Sequence, residues 1–142
     1  MLKKGNELAG NNAPRLEMVL NAHISPYIQM CGHSDGIKKL RICGLFGRVA
    51  PDVTTQIFEE CIMPVRLQFS EAIERCAPGL GSLASARVLS ILSVTIEGLI
   101  FEKDIELEEG SGPLCMQVDG IDDMLVAFFT AGIISLQFTM KN

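Results

Sequence analysis

The sequence contains no tryptophan, one tyrosine, two histidines and no pair of cysteines in CxxC spacing. With five cysteines, an odd number, no disulfide framework or zinc ribbon is indicated, and reduced thiols in a cytoplasm are the expectation. Cys31, Cys43, Cys61, Cys76 and Cys115 read first as small buried hydrophobes. Basic charge is also short. Lys and Arg total 12 against 17 Asp and Glu, giving a formal net charge of -5. That balance offers no basic face to a phosphate backbone, so nucleic acid is not an expected partner of these residues.

Catalytic signatures are missing as well. There is no GxSxG, HExxH or Walker loop, and His23 and His33 stand ten residues apart without a second ligand nearby. Neither a metal site nor a general base is indicated, and no enzyme is expected. GLGSLA, residues 79 to 84, matches GxGxxA, but a helix rather than a strand precedes it, so it reads as a turn between helices. The acidic stretch 102 to 118 lacks DxDxDG periodicity and reads as an exposed connection. Residues 1 to 13 carry two lysines but no apolar core of a signal peptide, and read as a loose lead-in.

What the chain has in quantity is helical apolar periodicity. Its 142 residues suit one domain, over 14 to 142, and 48% of them are apolar, more than a small monomer easily covers. An oligomer is therefore expected. Asn12 and Pro14 open a first helix to about residue 30, with Leu16, Val19, Leu20, His23 and Tyr27 on one face and Pro26 as a possible kink. Gly32 stops it. A short second helix spans about 37 to 47. Pro51 and Asp52 open a long third one, in which Val53, Ile57, Cys61, Val65, Phe69, Ala72 and Cys76 form a stripe while Arg66 and the acidic residues face away.

Ala77, Pro78 and Gly79 end that helix, and Ser82 is expected to cap a fourth, running to Phe101. Asp119 is expected to cap the fifth, with Asp122 and Asp123 suited to the positive end of its dipole. Both closing helices are apolar on more than one face, yet their apolar runs fall short of the ~20 residues that span a bilayer. A core on one side and a twin subunit on the other is the reading. Small residues such as Ala86, Ser90, Ser93, Gly98, Ala131, Gly132 and Ser135 would let such helices approach closely. Glu97, alone in the fourth helix, either lies at an edge with a basic partner or faces a pocket or the seam between subunits.

LFGRVAP at 45 to 51, then Phe58, Pro64 and Val65, Phe69, Ala72, the terminator Ala77 to Leu80, Arg87 and IDDMLVAFFTAGI at 121 to 133 carry a resemblance. Over roughly residues 14 to 138 the chain resembles the C-terminal regulatory domain of TetR/AcrR-type transcriptional repressors, and within them the fatty-acid-responsive members. The resemblance implies an all-α, five-helix domain whose last two helices form a four-helix bundle with a partner and which encloses an effector cavity. In that family a helix-turn-helix unit precedes this domain, and the residues before 14 hold no counterpart of it.

Pro64 fits this picture. A proline inside a helix costs roughly 3 kcal/mol, and a kink there would free the carbonyl near Glu60 and keep the core from closing. The plain alternative is a curved helix around a filled core. Walls of the cavity are expected from Phe46, Phe58, Cys61, Ile62, Val65, Phe69, Ile91 and Val94, with Arg41 or Arg48 available to a carboxylate. With no Trp and one Tyr, such a space suits a small hydrophobic or amphipathic effector, acyl-type compounds included. The homodimer seam is expected at Ser90, Leu99, Leu125, Phe128, Phe129, Gly132, Ile133 and Leu136. Two rivals accompany this reading: a stand-alone dimerisation module that antagonises full-length relatives, and a small enzyme using Cys61 or Cys76.

Overall fold

In a computed structural model of the chain, residues 15–33, 35–36, 38–40, 42, 49–101 and 119–140 are described. No strand occurs among them, and the class is all-α. The elements are α1 (Leu16–Cys31), α2 (Pro51–Ile57), a π-helical turn (Phe58–Ile62), α3 (Met63–Cys76), α4 (Ser82–Phe101) and α5 (Ile121–Thr139). Most of the expected second helix, Asn12, Pro14, Arg41, Phe46, Arg48, Cys43, Cys115 and the acidic connection fall outside the described residues.

Helix α1 is the hub, packing on α3, α4 and α5, while α3 also packs on α4. Its 3.6-residue pattern explains this. Leu16, Val19, Leu20, His23 and Ile24 are buried together, and Leu20 and Ile24 are fully enclosed. They meet Phe69, Ala72 and Ile73 from α3, Leu89, Leu92 and Ile96 from α4, and Leu125, Phe129 and Ile133 from α5. Each fully enclosed Leu or Ile contributes about 1.5–3 kcal/mol. Pro26 does not end α1, which runs on to Cys31, where the Gly32 N–H donates to the carbonyls of Ile28 and Gln29. Just beyond, a Cβ at Gly36 would collide with the Met30 carbonyl, so this close return of the chain requires glycine.

Two caps differ from expectation. The cap of α4 is Gly81 rather than Ser82: Gly81 has φ +78° and its carbonyl accepts from the Ser85 N–H at 3.0 Å. Likewise Gly120, φ +76°, caps α5 in place of Asp119, accepting from the Met124 N–H at 3.0 Å. In both, the chain enters the helix through a left-handed residue, a conformation that favours glycine over the side-chain cappers beside it. Asp122 and Asp123 do lie in the first turn of α5.

The long third helix is not continuous. Between α2 and α3 the backbone widens into the π turn, in which the Met63 N–H reaches back five residues to the Phe58 carbonyl. Pro64 then falls in the first turn of α3, where its missing N–H leaves no gap in the ladder. One extra residue per turn rotates everything downstream by about 100°. The apolar stripe therefore splits: Phe69, Ala72 and Ile73 are buried, but Val53, Ile57 and Phe58 are exposed, and neither α2 nor the π turn buries any residue.

Helices α4 and α5 are long and apolar enough to cross a membrane by length and composition, with mean hydropathies of 1.3 over Ser82–Leu99 and 1.5 over Ile121–Thr139. The shortfall expected from their apolar runs thus does not hold. Each turns one face to the core, Leu89, Leu92 and Ile96 on α4 and Leu125, Phe129 and Ile133 on α5. The opposite faces stay uncovered, with Leu83, Ile91 and Val94 on one and Met124, Phe128 and Phe138 on the other. Hydroxyls do not make α4 polar, because Ser85, Ser90, Ser93 and Thr95 each donate to the carbonyl four residues back, at 2.8–3.0 Å.

Candidate functional site

The π turn stands against a cavity of about 250 Å³. Cys61 and Ile62 of the turn, with Val65 and Arg66 of α3, form one wall. His23 and Tyr27, one turn apart on α1, form the second, and Ser93, Ile96 and Glu97 of α4 the third. Apolar and polar groups are segregated by chemistry here: Cys61, Ile62, Val65 and Ile96 are greasy, while His23, Tyr27, Arg66 and Glu97 carry the hydrogen-bonding and charged atoms.

Arg66 is half-buried and donates from Nη2 to Ser90 Oγ at 2.7 Å, tying α3 to α4 beside the cavity. That bond makes Ser90 both a donor to the Ala86 carbonyl and an acceptor from Arg66. The sequence pattern, drawn as one stripe from Val53 to Cys76, puts Arg66 on the solvent face; the structure corrects this. Arg66 precedes Phe69 by three residues and Ile73 by seven on α3, so it borders the buried face of that helix, and spacing counted from Ile73 would have found it.

His23 packs edge-on against Phe69, with ring centroids 4.8 Å apart, and tilts against Tyr27 at 5.8 Å. It is only 9% exposed, and its buried Nε2 has no hydrogen-bond partner. Burial, helped by the Arg66 charge, pushes its pKa down to about 4, so the imidazole is neutral at pH 7. Burial also raises the Tyr27 phenol; the Glu97 charge adds to that and Arg66 opposes it. Thus Arg66 and Glu97 both act on the polar end of this space. Neither forms an ion pair within 4.0 Å among the described residues. A buried ring nitrogen without a partner is costly, on the order of 1–3 kcal/mol.

Of the expected wall residues, Cys61, Ile62 and Val65 line this cavity. Phe69 lies beneath it, under His23. Phe58 is exposed beside the turn, and Phe46 is outside the described residues. Ile91 and Val94 sit on the outer face of α4 at 59% and 67% exposure, whereas Ser93, Ile96 and Glu97 take the inner positions. His23, Tyr27, Arg66, Ser93 and Ile96 are lining residues that sequence reasoning did not assign to the cavity, and Glu97 had a pocket as one of its alternatives.

A second, purely apolar groove of about 130 Å³ runs between α4 and α5, lined by Val88, Ile91, Phe128, Phe129, Gly132, Ile133 and Leu136. Five of the eight expected seam residues meet there. Their exposures differ: Phe128 stands 72% exposed, while Phe129 and Ile133 are buried against the chain's own core, as is Leu125. Leu99 is half-buried on that core, and Ser90 faces Arg66. Phe128 packs edge-on against Phe129 at 5.6 Å, so one ring anchors the other in an outward pose.

Among the described residues no three His, Cys, Asp or Glu side chains converge as metal ligands would. Cys31 is buried, Cys76 is half-buried, and Cys61 is exposed at the cavity. Burial pushes the thiols of Cys31 and Cys76 up, away from the reactive thiolate. Comparison with known protein families, curated proteins and solved structures gives no match for this chain.

Proposed function

We propose that this chain is an effector-sensing and dimerisation domain of the TetR-like kind, binding a small molecule beside the π turn and a second copy of itself through α4 and α5. The observation that carries the reading is the cavity of about 250 Å³ beside the π turn, in which Arg66 and Glu97 share a lining with Cys61, Ile62, Val65 and Ile96. The apolar outer faces of α4 and α5 support the second half of the reading, since Ile91, Val94, Met124, Phe128 and Phe138 are each more than half exposed. In a chain that also carries DNA-reading heads, ligand occupancy would act by favouring one dimer geometry over another, which requires different affinities for the two.

Native mass spectrometry of the purified chain tests both halves at once. The expected spectrum shows a dimer, with an extra small mass that is lost on activation. A monomer at micromolar concentration overturns the dimer. A chain that retains no small molecule and takes up none from hexanoate, hexanol, leucine and phenylalanine overturns the sensor. The same spectrum, recorded with a full-length relative present, separates sensing from the antagonist role, which demands a mixed dimer.

A further inference from the structure

The charges around the cavity restrict its occupant. Arg66 enters from α3 and Glu97 from α4, one of each sign, and the other described lining residues are uncharged, His23 being neutral. Among the described residues the Arg66 side chain makes a single hydrogen bond, to Ser90, out of five that a guanidinium can donate. Glu97 has no side-chain partner among them. The two charges line one cavity without pairing with one another, so a molecule that pairs with both would satisfy them together.

Size limits the choice further. At about 250 Å³ the space falls below the ~300–1,000 Å³ range of pockets that enclose drug-sized ligands. It suits a compact body rather than a long chain. Cys61, Ile62, Val65 and Ile96 require that body to be apolar on one side.

Resting on the reading that this cavity is the effector site, we infer that it takes a compact zwitterion with an apolar body, an α-amino acid with a branched or aromatic side chain being the type, its carboxylate on Arg66 and its ammonium at Glu97. A simple carboxylic acid would satisfy Arg66 but bring a second negative charge beside Glu97; an amine would satisfy Glu97 but add a positive charge beside Arg66. The zwitterion pairs with both and leaves the net charge of the site unchanged.

Isothermal calorimetry on the full chain tests this with matched skeletons: leucine and phenylalanine, their deaminated acids 4-methylpentanoate and 3-phenylpropanoate, the amines 3-methylbutylamine and 2-phenylethylamine, and the corresponding alcohols. At least one amino acid is expected to bind about ten-fold or more tightly than the acid and the amine of its skeleton, and Glu97→Gln to remove most of its advantage over the acid. Glu97 is exposed, so this variant is expected to keep its fold, which circular dichroism verifies. An acid, amine or alcohol that binds as tightly as its amino acid overturns the inference and leaves the cavity standing as a ligand site. Silence of the whole panel overturns both.

Discussion

At the scale of single residues, two buried side-chain polar atoms among the described residues lack partners, and they make opposite predictions. Thr130 Oγ1 lies buried in α5 with no hydrogen bond. Thr130→Val keeps the shape and removes the stranded hydroxyl, and is expected to stabilise the fold by about 1 kcal/mol in urea denaturation. His23 is different because its ring can take up a proton. Its folded pKa of about 4 lies below the ordinary 6.5, so the unfolded chain takes up the proton more readily. The contribution is present in full above pH 6.5 and is lost as pH falls through that value toward 4, a change on the order of 3 kcal/mol. Denaturation midpoints measured from pH 7 to pH 4 should fall accordingly, and His23→Phe should flatten that dependence. Periodicity placed His23 on the buried face of α1, but nothing in the sequence shows that its far nitrogen is left without a hydrogen-bond partner.

At the scale of elements, the π turn accounts for most of what could not be read from the sequence. Helix existence, the hub role of Leu16, Val19, Leu20 and His23, and the burial of Phe69 and Ala72 all follow from apolar spacing. The phase does not carry across residues 58 to 62, so the stripe begun at Val53 and Ile57, which are exposed, does not continue onto the buried face of α3, which Arg66 borders seven residues before Ile73. Pro64 marked the place but not the form of the accommodation, because a proline inside a helix can be absorbed by a kink or by a wider turn. Pro64→Ala restores a donor and removes the ring that blocks the α-helical path. Because Pro64 already sits in a first turn that tolerates it, the expected stability change is small, within about 1 kcal/mol, while ligand uptake weakens if the turn tightens. Thermal unfolding and calorimetry read the two effects separately; a variant that binds as before would detach the cavity from the proline. The caps were misread by one residue each for a related reason: Ser82 and Asp119 are good cappers by type, while Gly81 and Gly120 win through backbone conformation.

At the scale of the whole molecule, the uncovered faces of α4 and α5 are the feature to test. Phe128, at 72% exposure, is the anchor best placed to reach a partner, whereas Phe129 is committed to the core. Phe128→Asp is therefore expected to weaken self-association by at least ten-fold, about 1.4 kcal/mol or more, with an unchanged circular dichroism spectrum. Sedimentation velocity provides the measure. The small groove residue Gly132 offers a second one, since a Cβ there meets nothing within 4 Å inside the subunit. Gly132→Ala should stabilise an isolated subunit by about 0.5–1 kcal/mol, and any loss of dimer in that variant locates a neighbour's helix at this spot. Both helices also have the length of a membrane span, so partition into detergent in place of a soluble dimer would redirect the reading of these faces.

The lone phenol at the rim of the cavity has a practical corollary. Because the chain has one Tyr and no Trp, near-ultraviolet emission originates at Tyr27 and cannot drain to a neighbouring indole. An occupant that touches this wall alters the surroundings of the one phenol whose emission dominates, so the unmodified protein reports its own filling, without label or dye.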